Sequence, residues 1–240
     1  MYSLLKNIVA VILARGGSKS IPKKNLINFC GKPLLAWSLE QAKNVKEISS
    51  IWVSSDDKKI LDLAKKYNVN IIHRPKYLSK DNSSSISGWL HALKHIEQEQ
   101  KVDLLVSLQP TSPIRESKDI SKAIKKFKRE KCDSMFSASI LGDFLIWKKT
   151  RDNKFQSVNF DHKKRVRRQI SSKQFIENGS FYIIKPDILR RYHSPLAGKI
   201  SMSIMEFWKS FEIDDYNDIE FSEVIMKHYL LKNKALGRNR

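Results

Sequence analysis

Ile8-Val9-Ala10-Val11-Ile12-Leu13-Ala14-Arg15-Gly16-Gly17-Ser18-Lys19-Ser20-Ile21-Pro22-Lys23-Lys24-Asn25 is the stretch that decides the architecture. A short apolar run rich in β-branched residues and closed by glycines reads as a buried strand feeding a tight loop. Adjacent glycines let backbone amides approach an anion with no Cβ in the way, and Arg15, Lys19, Lys23 and Lys24 bring positive charge to the same turn. The loop is therefore a candidate phosphate cradle. It is not a dinucleotide fingerprint, which needs G-x-G-x-x-G, and not a Walker loop, because the spacer between its glycines is missing. An ordinary basic surface loop after a strand would carry similar residues.

The 240 residues, 41% of them apolar, suffice for a full core, read here as a single domain over 1–240. No stretch reaches the roughly 18 apolar residues that cross a bilayer. Met1 to Lys6 lacks the pattern of a secretory leader, and the only cysteines, Cys30 and Cys132, stand outside any C-x-x-C. These features point to a cytoplasmic protein with reduced thiols and no membrane partner. A formal charge of +20 would suit a non-catalytic binder of nucleic acid or another polyanion, the rival from a different class. Much of the excess is lysine along helical patterns such as Ser117 to Lys131, where it forms solvated faces, and an enzyme with anionic substrates would look the same. With no Cys/His finger, aromatic RNP pattern or basic zipper, nucleic acid is not an expected partner.

Outward from the opening stretch, Gly31-Lys32-Pro33 precedes a helical pattern from Leu34 to Lys43, and Ile51 to Ser54 reads as a second strand. Asp56 is placed to cap a helix carrying Ile60, Leu61, Leu63 and Ala64. Val69 to Ile72 makes a third strand. A polar loop from Arg74 to Ser83 leads into a helix from Ser84 to Glu97, then the strand Leu104 to Leu108. This alternation predicts an α/β fold: a Rossmann-like, mostly parallel sheet with helices on both faces and ligands outside the carboxyl ends of the strands. In the loop Gln109-Pro110-Thr111-Ser112-Pro113-Ile114-Arg115, two prolines restrict the backbone and hold Gln109 and Arg115 in place. Regular alternation fails over 141–173, a basic segment around Lys163-Lys164-Arg165-Val166-Arg167-Arg168 with Phe144, Trp147, Phe155 and Phe160 at strand-like spacing. It reads as an inserted hairpin or lid, or a dimerisation arm, although a basic run can be only a solvated face. Glu177-Asn178-Gly179-Ser180 turns into a strand from Phe181 to Ile184, and Asn217 or Asp218 caps a last helix through Leu231.

Taken in order, these segments resemble the CMP-sialic acid synthetases, the acylneuraminate cytidylyltransferases and their relatives acting on legionaminic and pseudaminic acids. The resemblance covers nearly the whole chain. It rests on Ala14 to Lys19 with Pro22, Lys24 and Asn25; Gly31-Lys32-Pro33-Leu34; Val53-Ser54-Ser55-Asp56; Arg74-Pro75 with Asp81 and the serines after it; Leu108 to Arg115; Arg168-Gln169; Asn178-Gly179; and Glu212-Ile213-Asp214.

The resemblance implies the nucleotide-diphospho-sugar transferase type of fold and transfer of CMP from CTP to the anomeric hydroxyl of a nonulosonic acid, with release of pyrophosphate, in surface-glycan biosynthesis. Arg15 and Lys19, with Ser18 and the amides around Ala14, Gly16 and Gly17, would hold the triphosphate, with Lys24 as a further contact. Such a transfer depends on positioning and charge neutralisation. Asn25 and Arg74 would address cytosine, with Ser83 or Ser84 near the ribose or base. Gln109, Thr111, Ser112, Arg168, Gln169 and Asn178 would serve the acceptor, whose carboxylate suits a planar guanidinium. Mg2+ is implied at an Asp-x-Asp pair that aligns with Glu212 and Asp214. Here the first carboxylate is Glu, and Asp215 could compensate. The alternative is that Asp214, Asp215 and Asp218 merely favour the start of the last helix. The resemblance further suggests that the 141–173 arm crosses into a partner subunit of a homodimer and that Lys148 reaches the neighbouring site.

The segments Glu177 to Tyr182 and Glu212 to Asp214 depart from the commoner sialate-type pattern, making legionaminate a candidate acceptor beside pseudaminate and N-acetylneuraminate. Another 2-keto sugar acid, 3-deoxy-manno-octulosonate, is the alternative within the reaction class. His91 and His95 sit four apart on a predicted helix, but no third ligand marks a zinc site. Trp37, Trp89 and Trp208 read as core or interface residues, and the sequons at Asn82 and Asn178 would stay unmodified in a cytosolic chain.

Overall fold

The computed structural model describes residues 5–165 and 172–232. Arg168 and Gln169 lie outside the described residues.

The opening strand β1, Ile8–Leu13, is buried along almost its whole length because it is covered on both faces. Ile8, Ala10 and Ile12 face one apolar cluster while Val9 and Val11 face another, the period-two alternation of a strand inside a layered fold. After β1 come a small ribbon of β2 (Asn28–Phe29) and β3 (Lys32–Pro33), helix α1 (Leu34–Lys43), β4 (Ser50–Ser55), α2 (Lys58–Lys66) and β5 (Asn70–His73). Next follow α3 (Ser85–Ile96), β6 (Leu104–Leu108), α4 (Ser117–Glu130) and β7 (Ser134–Ile140). A hairpin of β8 (Trp147–Lys149) and β9 (Phe155–Ser157) precedes β10 (Phe175–Ile184), α5 (Pro186–Tyr192), β11 (Ile200–Met205) and α6 (Tyr216–Ile225).

Seven strands form one sheet in the order β11-β7-β10-β6-β1-β4-β5. All neighbours are parallel except β10, which runs antiparallel to both β6 and β7. Helices α1, α2 and α4 cover one face through residues such as Leu39, Ile60 and Phe127, and α3 and α5 cover the other through Trp89, Leu93 and Leu189. This is the Rossmann-like, mostly parallel arrangement read from the alternation. From β1 the chain builds outward to β4 and β5, then returns to lay β6 on the other side of β1. The order therefore reverses between β1 and β6, and at such a switch point the loops leaving the two strands diverge and open a crevice. Those loops are 14–25 and 109–115.

Two cap assignments differ from the sequence reading. Asp57, not Asp56, caps α2, its Oδ1 accepting from the amides of Lys59 and Ile60. Asp56 instead accepts from Gly16 N–H at 3.0 Å, so it ties the end of β4 to the glycine loop. At the last helix the cap is Asp215, in a reciprocal box with Asp218, rather than Asn217 or Asp218. Beyond Ile225 the helix widens into a π-helical turn over Met226–Leu231. The segment read as a hairpin does form one; its Phe144 ring stacks on Phe207 at 5.6 Å while Trp147 and Phe155 remain exposed. Trp37 and Trp89 are core residues, and Trp208 stacks on Tyr229.

Candidate active site

The crevice between β1 and β6 is a cleft of about 340 Å³. One wall is the 14–25 loop, with Arg15, Gly17, Ser18, Lys24 and Asn25; a second is the 74–85 segment; the third holds Gln109, Pro110, Thr111 and Asp214.

The glycines of the first wall do different jobs. A Cβ on Gly16 would lie 2.7 Å from the Cβ of Asp57, so Gly16 lets the loop lie flat on the start of α2. Nothing stands within 4 Å of the corresponding point on Gly17, whose face is open. Ala14 is buried and donates its amide to Ser54 O at 3.1 Å, carrying the register of β1 past the strand end. Asn25 donates Nδ2–H to Arg15 O at 2.9 Å and so braces the loop from below; among the described residues no donor meets its Oδ1.

Arg15 and Lys19 each reach one oxygen of Asp81 at 3.0 Å. The hydrogen bond from Lys19, then the charges of Lys19 and Arg15, hold the Asp81 carboxyl below the ordinary carboxylate range. Two cations thus converge on a single exposed carboxylate, a geometry that other oxyanions can take over.

On the second wall Arg74 is 7% exposed and donates Nε–H to Ser79 Oγ at 2.9 Å. It runs beside Gly88 of α3, where an added Cβ would come 3.3 Å from Nη1. Burial lowers the affinity of Arg74 for its proton, and the neighbouring Asp56 charge opposes that effect. Ser83 Oγ donates to Tyr77 O at 2.9 Å, and Ser84 caps α3 by accepting from Ser87 N–H at 3.2 Å. Both hydroxyls line the cleft while shaping its wall. Ser79, Lys80 and Ser85 line it too; the sequence reading passed over them because nothing but their position in a polar loop marks them.

The third wall joins distant parts of the chain. Ile213 N–H donates to Thr111 O at 2.8 Å, pinning the acidic segment to the proline loop. Lys24 Nζ donates to Ile213 O at 2.9 Å and approaches Asp214 Oδ1 at 3.2 Å, and Ser20 Oγ donates to Asp214 O. Lys24, expected at phosphate, is thus engaged with the acidic segment.

Two expected acceptor-side groups, Ser112 and Asn178, are buried, and so is Arg115, the residue at the end of the proline loop. Arg115 is buried under the loop, its Nη1 donating to the carbonyls of Gln109, Ser112 and Ser180, so it is an internal staple. Ser112 is buried as well, with no partner for Oγ. Asn178 turns inward, Nδ2 donating to Ser139 Oγ at 3.2 Å, because β10 bulges between Glu177 and Tyr182 and the bulge re-aims its side chain. The same bulge brings Gly179, at φ +62°, against Glu212: a Cβ there would fall 1.7 Å from Oε1. Tyr182 donates its hydroxyl to Glu177 beside this point, a pair the sequence reading did not connect.

Glu212 is half-buried, and burial first, then the charges of Asp214 and Glu177, push its carboxyl above the usual range against the pull of Lys24. Asp215 caps α6, its Oδ1 accepting from Asp218 N–H at 3.1 Å. Among the described residues no three His, Cys, Asp or Glu side chains gather as a cage. Magnesium needs no such cage, being commonly held by one or two carboxylates together with substrate phosphates. Glu212 and Asp214, whose charges repel each other beside a cleft lined by Arg15 and Lys24, fit that donor set.

Residues 9–235 match the family model described as Cytidylyltransferase. N-acylneuraminate cytidylyltransferase A of Danio rerio is 33% identical over 189 residues, covering 78% of this chain and 43% of that protein. Pseudaminic acid cytidylyltransferase of Campylobacter jejuni is 31% identical over 233 residues, 93% of this chain and 97% of the relative. The chain spans less than half the length of the fish relatives it matches, 43%, 41% and 49%. A solved CMP:2-keto-3-deoxy-manno-octonic acid synthetase complexed with CTP superposes with a TM-score of 0.71 over 93% of this chain and 100% of that one, at 16% identity, a likeness of fold. The chain belongs to the cytidylyltransferase family, in the group that includes the N-acylneuraminate and pseudaminic acid cytidylyltransferases.

Proposed function

We propose that the protein transfers the cytidylyl group of CTP to the anomeric hydroxyl of a nonulosonic acid and releases pyrophosphate. The observation that carries this reading is the convergence of Arg15 and Lys19 on one oxyanion-sized point, Asp81, in a cleft whose opposite wall bears Asp214. The triphosphate competes with the Asp81 carboxylate for these cations. Arg15 and Lys19 then neutralise the charge that grows on the departing pyrophosphate, an electrostatic contribution aimed at the transition state. Gly17, with open space at its Cβ position, gives the phosphates close access to the backbone.

Base selection follows from hydrogen-bond polarity. Cytosine carries an amino donor beside two acceptors, whereas uracil has a carbonyl in place of the amino group. Asn25 Oδ1 accepts from the amino group, and Arg74 donates to the acceptor edge. Ser83 and Ser84 stand close enough on the same wall to meet ribose or base.

Glu212 and Asp214 would hold Mg2+, which would supply charge neutralisation at the phosphates and lower the pKa of the attacking hydroxyl. The chain's own part is to keep the two carboxylates in place through Lys24, Ser20 and Thr111. Gln109 and Thr111 face the acceptor, and Arg168 with Gln169 would supply its carboxylate contacts from the arm. The exposed Phe144, Trp147 and Phe155 of the arm support pairing into a homodimer, with Lys148 directed to the neighbouring site.

The test is pyrophosphate release with Mg2+ and CTP, ATP, GTP or UTP, offered N-acetylneuraminate, legionaminate, pseudaminate and 3-deoxy-manno-octulosonate. The reading expects release with CTP and a nonulosonic acid. Release only with the octulosonate would move the acceptor class, and no release from protein that binds CTP would reject the reaction.

A further inference from the structure

Among the described residues three basic side chains are buried: Arg74 in the cleft, Arg115 beneath it, and Lys209, for which the reaction above has no task. The Lys209 side chain is 0% exposed. Its Nζ lies 3.0 Å from Glu116 Oε2, 2.8 Å from Asp119 Oδ2 and 2.8 Å from Glu206 Oε2. An ammonium in a dry interior is costly unless its donors are matched, and three carboxylates match all three here. They hold the Lys209 proton more firmly than usual, although burial alone would loosen it.

The three carboxylates come from separate places. Glu206 follows β11, whereas Glu116 and Asp119 form the reciprocal cap of α4, which begins just past the proline loop. Lys209 therefore locks the segment after β11 onto the end of the loop that bears Gln109 and Thr111. The next residue adds a second tie: Ser210 Oγ bonds Ser139 Oγ at 2.7 Å, and Ser139 also accepts from Asn178 in the β10 bulge. Immediately downstream come Glu212, packed on Gly179, and Ile213, whose amide meets Thr111 O. These ties fasten the stretch to the α4 cap, β7, β10 and the proline loop, while Lys24 and Ser20 fasten its end to the glycine loop.

We propose that Lys209 is a positioning residue for cytidylyl transfer, fixing where the Glu212 and Asp214 carboxylates stand relative to the proline loop. The inference rests on the reading of those carboxylates as the metal-holding pair. An apolar side chain could fill the same volume with no loss of stability if the carboxylates went too, so what the charge cluster adds is a single register for the segment. Lys209 touches no reacting atom and acts only through the 210–214 backbone.

Lys209→Met, Lys209→Arg and the milder Glu206→Gln test this, each studied well below its unfolding midpoint. CTP binding without metal, Mn2+ binding in the presence of a non-transferable CTP analogue, both by calorimetry, and kcat are measured together. Lys209→Met should bind CTP as the wild type does, lose roughly tenfold in Mn2+ affinity, and lose roughly 10- to 100-fold in kcat, the scale expected of a small misplacement. Lys209→Arg should recover most of both, and Glu206→Gln should show a smaller loss in the same direction, which also serves if Lys209→Met does not fold. Lowered thermal stability with Mn2+ affinity and kcat unchanged in the folded variants would overturn the proposal. Absence of Mn2+ binding by the wild type with nucleotide would instead reject the carboxylate pair itself, and the proposal with it.

Discussion

Lys24 Nζ stands 3.2 Å from Asp214 Oδ1, joining the glycine loop to an acidic segment 190 residues away in the chain. The ammonium also takes the carbonyl of Ile213, so the lysine serves the segment's backbone as well as its charge. Glycine loop and acidic segment are thereby one assembly.

Replacing Asp214 separates binding from turnover. Arg15 and Lys19 stay intact in Asp214→Ala, so CTP should bind within a few-fold of the wild type while kcat falls by roughly 10²–10³, the cost of removing one preorganised electrostatic group. Calorimetry with CTP and single-turnover rates check both halves. Full activity in the variant would remove Asp214 from the site.

Asp81 pairs with Arg15 and Lys19, the two cations proposed to take the triphosphate. Asp81→Asn should therefore tighten CTP binding, by roughly two- to fivefold because exposed ion pairs are weak. The gain should shrink as salt is raised, since both partners are screened. Weaker binding in Asp81→Asn would mean that the carboxylate supports the nucleotide site.

Glu212 gives the cleft a pH dependence of definite sign. Its carboxyl is raised, chiefly by burial and then by Asp214 and Glu177, so the folded protein holds this proton more tightly than the unfolded chain. Its contribution to stability is thus favourable below the ordinary value of about 4.3 and declines as pH rises toward the raised one. A cation competes with the same proton. Mn2+ affinity should weaken as pH falls into that window, by at most about tenfold per pH unit for a single proton, and Glu212→Gln should flatten the dependence. A flat profile in the wild type would place the metal elsewhere.

Gly179 carries both a left-handed backbone and the close approach of Glu212. Gly179→Ala should destabilise the fold by about 1–3 kcal/mol through backbone strain and displace the Glu212 carboxylate as well. Urea unfolding and Mn2+ titration read these effects separately. Unchanged metal affinity would show that Glu212 finds its place without the glycine.

Strands β1, β4, β5 and β6 were legible because each is short, apolar and followed by its own helix, a local signature that β7 and β11, which were not read, lack. The cleft's position followed, since ligand loops leave the carboxyl ends of such strands. Caps were less legible: Asp56 and Asp57 are chemically alike, and only the three-dimensional demand of Gly16 N–H assigns one to the loop and the other to the helix. Arg115 and Asn178 show a deeper limit. Their polar character suggests a ligand, yet both satisfy buried backbone or hydroxyl groups, and the β10 bulge that turns Asn178 inward depends on pairing with β7. Lys209 looked like any surface lysine because two of its three carboxylates, Glu116 and Asp119, lie 93 and 90 residues away in the sequence.

The central claim is that the α-phosphorus of CTP ends on the sugar. CTP, Mg2+ and legionaminate, pseudaminate or N-acetylneuraminate should be incubated with the protein and followed by 31P NMR. The account predicts loss of the three CTP signals with growth of a phosphodiester signal from the CMP-sugar and a pyrophosphate signal of about twice its integral, since pyrophosphate carries two equivalent phosphorus atoms. CTP that persists beside every acceptor, or that decays to CDP and phosphate, would contradict it.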